Sequence, residues 1–486
     1  MAAQVTILEK TEAGFSRNAI QALSQFKNEP EWMRAWRLEA WHLYEETPMP
    51  ASNDELWRRT SLKELKLDDV VPFAPTAARE TTAPLPARFQ QIANDLDAGG
   101  VVAQYNSLGA YARLDDELKR RGVIFTDLDT AIRQHPDLVK QYFMTKAVTY
   151  HENRYKSDKP RTDASGNPST SSGQAPSAPL RAKGGGYGDT IGDLKFAALH
   201  AAFFSGGTFL YVPRGVVVDL PLQALAYFDA ANAAAFTHTL VVVEEGAAVT
   251  LVENYASEEN EARRFSNGAV ELILKPGASL QYFHLQDFAR NVWHFSSQTA
   301  LLEKDSNLTW LNGTLGSQTT KAFLDCKFLG EGTNANLLGF FFGDGKQHFD
   351  QHTFQNHIVG HSASDLLYKG ALKDRAYSAF RGLIRVNPHA QRSDAYQANR
   401  NVLLSQHAHA DSIPELEIEA NDVRCTHGAT VGPIDAEQIF YLMARGVPQI
   451  EAERVIVEGF FDPLMQKIPL ESIREDLTRA IQNKIG

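Results

Sequence analysis

The feature that most constrains the fold of this 486-residue chain is a short unit that recurs between Gly207 and His427. Each unit is a tight charged or Gly/Pro turn followed by an alternating strand, and it returns roughly every thirty residues. Four examples are EEGAAVTLVENY, KPGASLQYFHLQ, EKDSNLTWLNGT and GEGTNANLLGFF. Since no long helical pattern separates the strands, the repeat favours a stacked β-helix, in which each unit buries its apolar face on its neighbour. A Greek-key sandwich is the alternative.

Helical periodicity dominates the chain before this repeat. Apolar residues at three- and four-residue spacing predict two helices in FSRNAIQALSQFKNEPEWMRAWRLEAWHLYEETPMP, which begins at residue 15. Pro30 stands near the start of the second helix, where its missing N–H is harmless, and Pro48 favours the end of that helix. Further helices are predicted over 87–98, 107–118 and 136–147.

The segment SDKPRTDASGNPSTSSGQAPSAPLRAKGGG, at 157–186, is almost free of large apolar residues. Because it cannot bury enough surface to offset the entropy of ordering, the sequence predicts a disordered insertion here. The predicted domains are an N-terminal helical domain (1–156), this insertion (157–186), a β-helix core (187–434) and a C-terminal helical domain (435–486).

Three helices are predicted at the end of the chain, in AEQIFYLMAR, PQIEAERVIVEGFFDPLM and PLESIREDLTRAIQNKI. Asp435 is the predicted N-cap of the first helix, and Gly446 stands where a left-handed residue ends a helix. The second helix carries a broad apolar stripe that includes Ile450, Ile456 and Phe460. This stripe either docks on the chain's own core or binds a partner.

Composition excludes several classes of protein. No apolar run reaches the ~18–20 residues that span a bilayer, so we expect no membrane segment. The net charge of −11, without a basic patch, argues against nucleic-acid binding. Two cysteines, Cys326 and Cys425, cannot form a disulfide framework, and the N-terminal sequence MAAQVTILEKTEAGF lacks secretion and transit signals. We therefore expect a cytoplasmic protein.

Motifs for nucleotide binding and hydrolysis are not found in the sequence. It contains no G-x-x-x-x-G-K-[ST] phosphate loop, no G-x-S-x-G elbow and no H-E-x-x-H helix. Histidines are denser in HFDQHTFQNHIVGH and in SQHAHADS. On one continuous strand, His348 and His352 would face one side and His357 and His361 the other, which favours ordinary hydrogen-bonded histidines over a metal site. The paired His407 and His409 lie near a predicted loop end.

One strand near the C-terminus holds the most suggestive pair of side chains. In PELEIEANDVRCTHGATVG, the Asn421-Asp422 turn resets the register, and beyond it Cys425 and His427 point to one side. Three interpretations stay open for this pair. It is a packed structural pair, a set of two ligands for a soft metal or iron–sulfur species completed by another chain, or a Cys–His nucleophile without an evident oxyanion hole.

Several long segments resemble the SufB/SufD family of the SUF iron–sulfur cluster assembly machinery, and its SufD branch in particular. The most specific is PELEIEANDVRCTHGATVGPIDAEQIFYLMARGV, which is similar to the C-terminal SufD signature. The similarity continues upstream through LYKGALKDRAYSAFRGLIRVNPHAQRSDAYQANRNVLLS and HTFQNHIVGHSASDLLYKG. FSGGTFLYVPRGVVVDLPLQ resembles a strand shared with SufB, and EPEWMRAWRLEAW and LWRRTSLKEL resemble SufD N-terminal helices. The resemblance covers nearly all of the chain except 157–186.

This resemblance implies a mainly β fold: a right-handed parallel β-helix flanked by N-terminal and C-terminal helical domains. It implies a non-catalytic scaffold subunit that pairs with SufB, or with itself when alone, through the β-helix ends. The C-terminal helices would bind the ATPase SufC, with Ile450, Ile456 and Phe460 as candidate contacts. By position, His427 with Cys425 beside it would lie at the SufB interface. Iron or an iron–sulfur cluster would contact this pair transiently, with none tightly bound by this chain alone.

Two other functions are kept as alternatives. A SufB-type scaffold would hold most of the cluster ligands, which a chain with two cysteines supports poorly. A β-helix polysaccharide lyase is expected to have a secretion signal and a charged cleft, and the sequence shows neither.

Overall fold

The computed structural model describes residues 13–74, 98–148, 193–259, 261–468 and 471–485. The predicted insertion at 157–186 and most of the predicted helix at 87–98 lie outside these ranges. The helices of the described ranges are α1 (Arg17–Phe26), α2 (Glu31–Glu46), α3 (Asp116–Arg120), α4 (Leu128–Gln134), α5 (Pro136–Tyr142), α6 (Leu194–Phe203), α7 (Ala436–Met443), α8 (Gln449–Met465) and α9 (Glu471–Ile485), with a 3₁₀ turn at Leu67–Asp69.

The strands are more numerous than the helices and follow one another closely. They are β1 (Gly100–Tyr105), β2 (Leu108–Leu114), β3 (Ile124–Asp127), β4 (Gly207–Val212), β5 (Leu222–Phe228), β6 (Ala234–Ala235), β7 (His238–Val243), β8 (Ala248–Ser257), β9 (Arg264–Leu274), β10 (Ser279–Asp287), β11 (Val292–Leu302), β12 (Asn307–Thr314), β13 (Thr319–Phe328), β14 (Asn334–Gly343), β15 (His348–His357), β16 (Ala363–Leu372), β17 (Tyr377–Val386), β18 (Asp394–Leu403), β19 (His409–Ile418) and β20 (Arg424–Pro433).

These strands form two long sheets that face each other. Sheet 1 has the order β2-β1-β5-β8-β10-β12-β14-β16-β18-β20, and sheet 2 has the order β3-β4-β7-β9-β11-β13-β15-β17-β19, with β6 beside β9. From β4 onward the chain alternates between the sheets, and successive strands within each sheet pair in parallel. The result is a parallel β-solenoid of about eight turns, which confirms the predicted stacked β-helix. A Greek-key sandwich is excluded because it would need antiparallel pairs.

The repeat in the sequence reflects one corner of the solenoid. The turn from sheet 2 to sheet 1 places a residue with positive φ at the same corner of successive coils, 27 to 31 residues apart. Glycine adopts this left-handed conformation without a steric penalty, Asp and His tolerate it better than most residues, and Arg392 adopts it against the usual preference. The corner residues are Gly246, Gly277, Asp305, Gly332, His361 and Arg392.

The interior of the solenoid is built from ladders of in-register residues. One ladder crosses sheet 1 as Leu251, Tyr282, Trp310, Leu337, Leu366, Gln397 and His427. The ladder two positions earlier in each strand is Val249, Leu280, Leu308, Ala335, Ser364, Ala395 and Cys425. The first five members of the first ladder belong to one buried apolar cluster. Since in-register side chains of parallel strands share a face, both ladders point inward along their whole length.

The N-terminal region contributes strands as well as helices. β1 pairs in parallel with β5, and the antiparallel pairs β1–β2 and β3–β4 close the first coil. The helix predicted over 107–118 is therefore wrong, because Leu108–Leu114 forms β2 and a five-residue helix follows. Pairing with β1 stabilises the sequence LGAYARL as a strand, which local helical spacing does not predict. The predicted helices α1 and α2 are confirmed, and with α6 they pack on the outer face of sheet 2.

The C-terminal helices cover the opposite side of the solenoid. α8 and α9 pack on the outer face of sheet 1, where Phe461 meets Phe340 with a ring-centroid distance of 6.0 Å. α7 begins at the predicted cap, since the Asp435 carboxylate accepts hydrogen bonds from the amides of Glu437 and Gln438. Gly446 has a φ of +86°, as predicted. None of the helices within the described ranges is long and apolar enough to cross a bilayer.

Candidate functional site

The solenoid ends at an open edge formed by β19 and β20. β20 pairs with β18 and β19 pairs with β17, and each is the last strand of its sheet within the described residues. Consecutive coils normally cover one another, so the final coil exposes apolar side chains that earlier coils bury. Ile418 and Val431 are 41% and 43% exposed for this reason.

Cys425 and His427 are the last members of the two inward ladders. Their in-register neighbours on β18, Ala395 and Gln397, are each 1% exposed. The Gln397 amide crosses the interior and donates to the carbonyl oxygens of Gly382 and Glu415, both at 3.1 Å. Cys425 is half-buried against the apolar cluster that contains Ala395, whereas the side chain of His427 is exposed. The structure thus brings the pair to one face of the open edge, on the same side of β20.

Local electrostatics hold the Cys425 thiol in its neutral form. Burial raises the pKa of this thiol, a hydrogen bond to the Ala395 backbone opposes the rise, and the Asp394 carboxylate adds to it. Asp394 itself pairs with Arg424 at 2.9 Å on the outward side of the edge. Since metals bind the thiolate, a ligand role for Cys425 requires a cation close enough to displace the thiol proton.

The pair does not form a complete metal site by itself. Within the described residues, no group of three or more His, Cys, Asp and Glu side chains is placed to hold a metal ion. The other cysteine, Cys326, lies on β13 in the apolar interior with Trp310 and Tyr368, and burial raises the pKa of its thiol well above the usual value. Additional ligands at Cys425 and His427 would therefore come from outside the described part of this chain.

The backbone of β20 presents hydrogen-bonding groups beyond the sheet. The amides of Arg424 and Ile434 donate to the carbonyls of Ser393 and Leu403 on the β18 side. Because peptide groups alternate in direction along a strand, the even-numbered residues of β20 face β18. Residues 425, 427, 429 and 431 direct their peptide groups toward the open edge, so this edge is a template for another strand.

A second exposed surface lies on the C-terminal helices. Ile450 is 54% exposed, as a partner contact needs, whereas Ile456 and Phe460 are half-buried. The ring of Phe460 packs on Phe461 and under the Lys369 ammonium, so it serves mainly its own chain. Sequence reasoning missed most of the exposed apolar members of this surface, although an eight-residue helix with the run IFYLM cannot bury all of it. The missed residues are Phe440, Tyr441 and Met443 of α7, which contacts α8, whereas Val455 belongs to the predicted stripe and is exposed.

The other histidines singled out in the sequence occupy structural positions. His348 and His352 share the outer face of sheet 2, as predicted. His357 is buried and bonds the hydroxyls of Ser362 and Ser364 at 2.8 and 2.9 Å, as expected of an ordinary hydrogen-bonded histidine. His361 is a corner residue and is not on a strand. His409 starts β19 and contacts Asp411, and His407 lies in the preceding turn.

One protein-family model matches a long segment of this sequence. Residues 226–460 match the family model described as SUF system FeS cluster assembly, SufBD core domain. The match begins in β5 and ends in α8, so it includes the open edge of the solenoid and part of the exposed helical surface.

Similar proteins have been described in several staphylococci. Proteins named Iron-sulfur cluster assembly SufBD family protein in Staphylococcus haemolyticus, Staphylococcus saprophyticus and Staphylococcus aureus are each 28% identical to this chain over 472 residues. The alignments cover 95% of this chain and 91% of each relative. Residues 226–460 thus resemble the SufBD core domain of the SUF iron–sulfur cluster assembly system, and nearly the whole chain is similar to proteins named as SufBD family members.

Proposed function

We propose that this chain is a non-catalytic, SufD-type scaffold subunit that pairs with a SufB-type subunit and with the ATPase SufC during iron–sulfur cluster assembly. The observation that carries the proposal is the end of the inward ladders. There, an imidazole and a thiol lie beside an unpaired backbone edge, and the described chain does not complete their ligand set.

The chemistry of the pair suits iron or a cluster as transient cargo. Thiolate and imidazole are the ligand types that bind iron and iron–sulfur species. An exposed imidazole is accessible without unfolding, and the neutral thiol needs a cation to lose its proton. Two ligands hold cargo weakly, so release to a partner that supplies the rest of the ligands is easy.

The open edge supports pairing with a subunit of the same architecture. A second β-solenoid that added its last strand to β20 would satisfy the outward peptide groups and cover Val431. The same edge could pair two copies of this chain in the absence of SufB. The exposed apolar residues of α7 and α8 form the surface that we assign to SufC.

Co-purification after co-expression with SufB and SufC tests the pairing. Ala429→Pro removes an outward N–H from the edge while leaving the bonds to β18, and proline is tolerated in edge strands. We expect it to lose SufB and to retain SufC. Ala429→Val keeps the N–H and is the matched control, which should retain both partners. Full retention of SufB by a folded Ala429→Pro protein would refute pairing through β20.

A further inference from the structure

Three buried titratable side chains, connected by hydrogen bonds, lie under the N-terminal helices and away from the open edge. Glu271 on β9, His238 on β7 and His200 on α6 are at most 1% exposed. Glu271 Oε1 is 3.1 Å from His238 Nε2, and His238 Nδ1 is 3.0 Å from His200 Nε2. His200 Nδ1 lies 2.7 Å from the backbone oxygen of Asn267. We call these three side chains the Glu271 wire.

The direction of each hydrogen bond in the wire follows from its last member. A backbone carbonyl oxygen only accepts, so His200 Nδ1 must carry a proton and donate to Asn267. If His200 is neutral, its Nε2 accepts, and His238 Nδ1 is then the donor. A neutral His238 with its proton on Nδ1 offers an unprotonated Nε2 to Glu271. That contact is a hydrogen bond only if the Glu271 carboxyl carries a proton.

From this geometry we infer that Glu271 is an uncharged carboxylic acid in the folded protein and that its proton makes a pH-sensitive clasp between the solenoid and residues 144–148. The clasp has two further bonds. Glu271 Oε1 accepts from the Met144 amide at 2.6 Å, and Oε2 accepts from the Val148 amide at 3.1 Å. One carboxyl group of β9 thus bonds the backbone of the segment that follows α5, whose apolar side chains also pack in the same cluster as β9.

Loss of the proton would leave the wire without a satisfactory arrangement. Either the ionised carboxylate would face the unprotonated Nε2 of His238, or reversal of the wire would place His200 Nδ1 against the Asn267 oxygen as two acceptors. A buried anion without a paired cation is costly in either case. The proton therefore stabilises docking of 144–148 beyond what the backbone amide bonds supply.

The groups around the wire favour the proton on Glu271 rather than on His238 or His200. The cation near His200 is Arg37, which pairs with Glu29 and lies over the Phe204 ring. Burial, His238 and Arg37 lower the pKa of His200 well below its usual value, against a weaker opposing effect of the Asn267 hydrogen bond. Burial lowers the pKa of His238 to about 3. Burial also raises the pKa of Glu271 to about 8, although the backbone amides of Met144, Val148 and Ala147 oppose the rise.

The sign of the pH dependence follows from these values. Folded Glu271 holds its proton more tightly than an unfolded glutamate, whose pKa is near 4.5. Its contribution to stability is complete below this value and is lost as pH rises toward about 8. The two histidines have the opposite effect on stability. Their contribution to the free energy of unfolding is present above the ordinary histidine pKa and is lost as pH falls. The wire is therefore most stabilising in mildly acidic to neutral solution.

Comparison of the full-length protein with Glu271→Gln tests the clasp. The amide of glutamine can donate to His238 but does not ionise. We expect the ratio of unfolding equilibrium constants, wild type over Glu271→Gln, to rise about tenfold per pH unit between pH ~5 and pH ~8. The matched control is Glu245→Gln, which removes an exposed glutamate paired with Arg214 and should give a ratio independent of pH. A ratio for Glu271→Gln that does not change with pH would overturn the proposal.

A second measurement on the unsubstituted protein applies even if Glu271→Gln fails to fold. Nitrogen-15 NMR of labelled histidines distinguishes the two neutral tautomers, and loss of signals in His200→Gln and His238→Gln variants assigns them. We expect both rings to carry the proton on Nδ1 and to stay neutral down to pH ~5. A proton on Nε2 of His238 would show that Glu271 accepts that bond as a carboxylate, and the inference would be wrong.

Discussion

A buried ion pair joins the N-terminal segment to sheet 2. The side chains of Lys321 and Asp350 are 0% and 2% exposed and lie 2.6 Å apart. The Lys321 ammonium also donates to the backbone oxygen of Leu56, and Thr60 donates to the Asp350 carboxylate. Isolated charges at this depth would be costly, so the two side chains and the segment 51–66 depend on one another.

Removal of one member of this pair should destabilise the protein severely. We expect Lys321→Ala to lower the free energy of unfolding by ~3–5 kcal/mol, because it leaves the Asp350 carboxylate buried without its cation. Lys321→Met combined with Asp350→Leu should recover most of this loss. Urea unfolding at neutral pH measures both effects. Equal losses in the single and double variants would contradict the account.

The Lys321–Asp350 pair also makes the folded protein less stable in acid. Burial alone would raise the pKa of Asp350, but the Lys321 ammonium and His352 lower it well below the ordinary range of aspartate. The contribution of Asp350 is therefore present above the pKa of an unfolded aspartate and is lost as pH falls below it. This loss of stability at low pH adds to the loss caused by protonation of the buried histidines.

Among the C-terminal helices, α7 and the outer side of α8 differ from α9 and the inner side of α8, which pack on the solenoid. α9 and the inner side of α8 bury Leu464, Leu477 and Ile481, whereas no residue of α7 is buried. A helix with a 73%-exposed phenylalanine at position 440 is poorly explained by packing within its own chain. This contrast between neighbouring helices is the physical basis for assigning them to a partner.

Charge substitutions on the exposed helical surface should prevent ATPase binding without unfolding the chain. We expect Phe440→Glu with Ile450→Lys to abolish SufC co-purification, because the charges would have to be buried in the interface. The thermal midpoint should change little, since both side chains are solvent-exposed. Val217→Lys alters a side chain that is 45% exposed near the first coil and serves as the control. Unchanged SufC binding by the folded double variant would assign the interface elsewhere.

Deletion of residues 157–186 tests the remaining prediction from composition. This range lies outside the described residues, so the prediction rests on the sequence alone. We expect the shortened chain to fold with an unchanged thermal midpoint, because the entropy of closing a flexible loop depends weakly on its length. A marked loss of soluble protein on deletion would show that the segment contributes to the fold.

For the whole molecule, sequence periodicity was sufficient to predict the solenoid but not its first coil. The corner residues with positive φ repeat every 27 to 31 residues, and at the first four corners that spacing is visible in the sequence as Gly and Asp turns. β2 could not be predicted in the same way, because its pairing with β1 is a tertiary effect. The common direction of Cys425 and His427 followed from two-residue spacing, and it is explained by the inward ladders.

The exposure of the candidate site could not be derived from the sequence. Gln397 and His427 are equivalent members of one ladder, yet only the second is exposed, because no further coil within the described residues covers it. Local patterns do not show which coil is the last. Likewise, the exposed residues of α7 are apolar and would be assigned to a core by composition alone.

We propose that iron or a cluster contacts this chain at the end of the inward ladder, beside His427. Iron and sulfide analysis of the anaerobically purified complex with SufB and SufC tests it most directly. We expect His427→Ala to lower iron and sulfide several-fold while the subunits still co-purify and the isolated chain melts nearly as before. Cys425→Ser should lower them less, and His407→Ala, at an exposed turn, should leave them unchanged. Normal iron and sulfide in an intact His427→Ala complex would contradict the account.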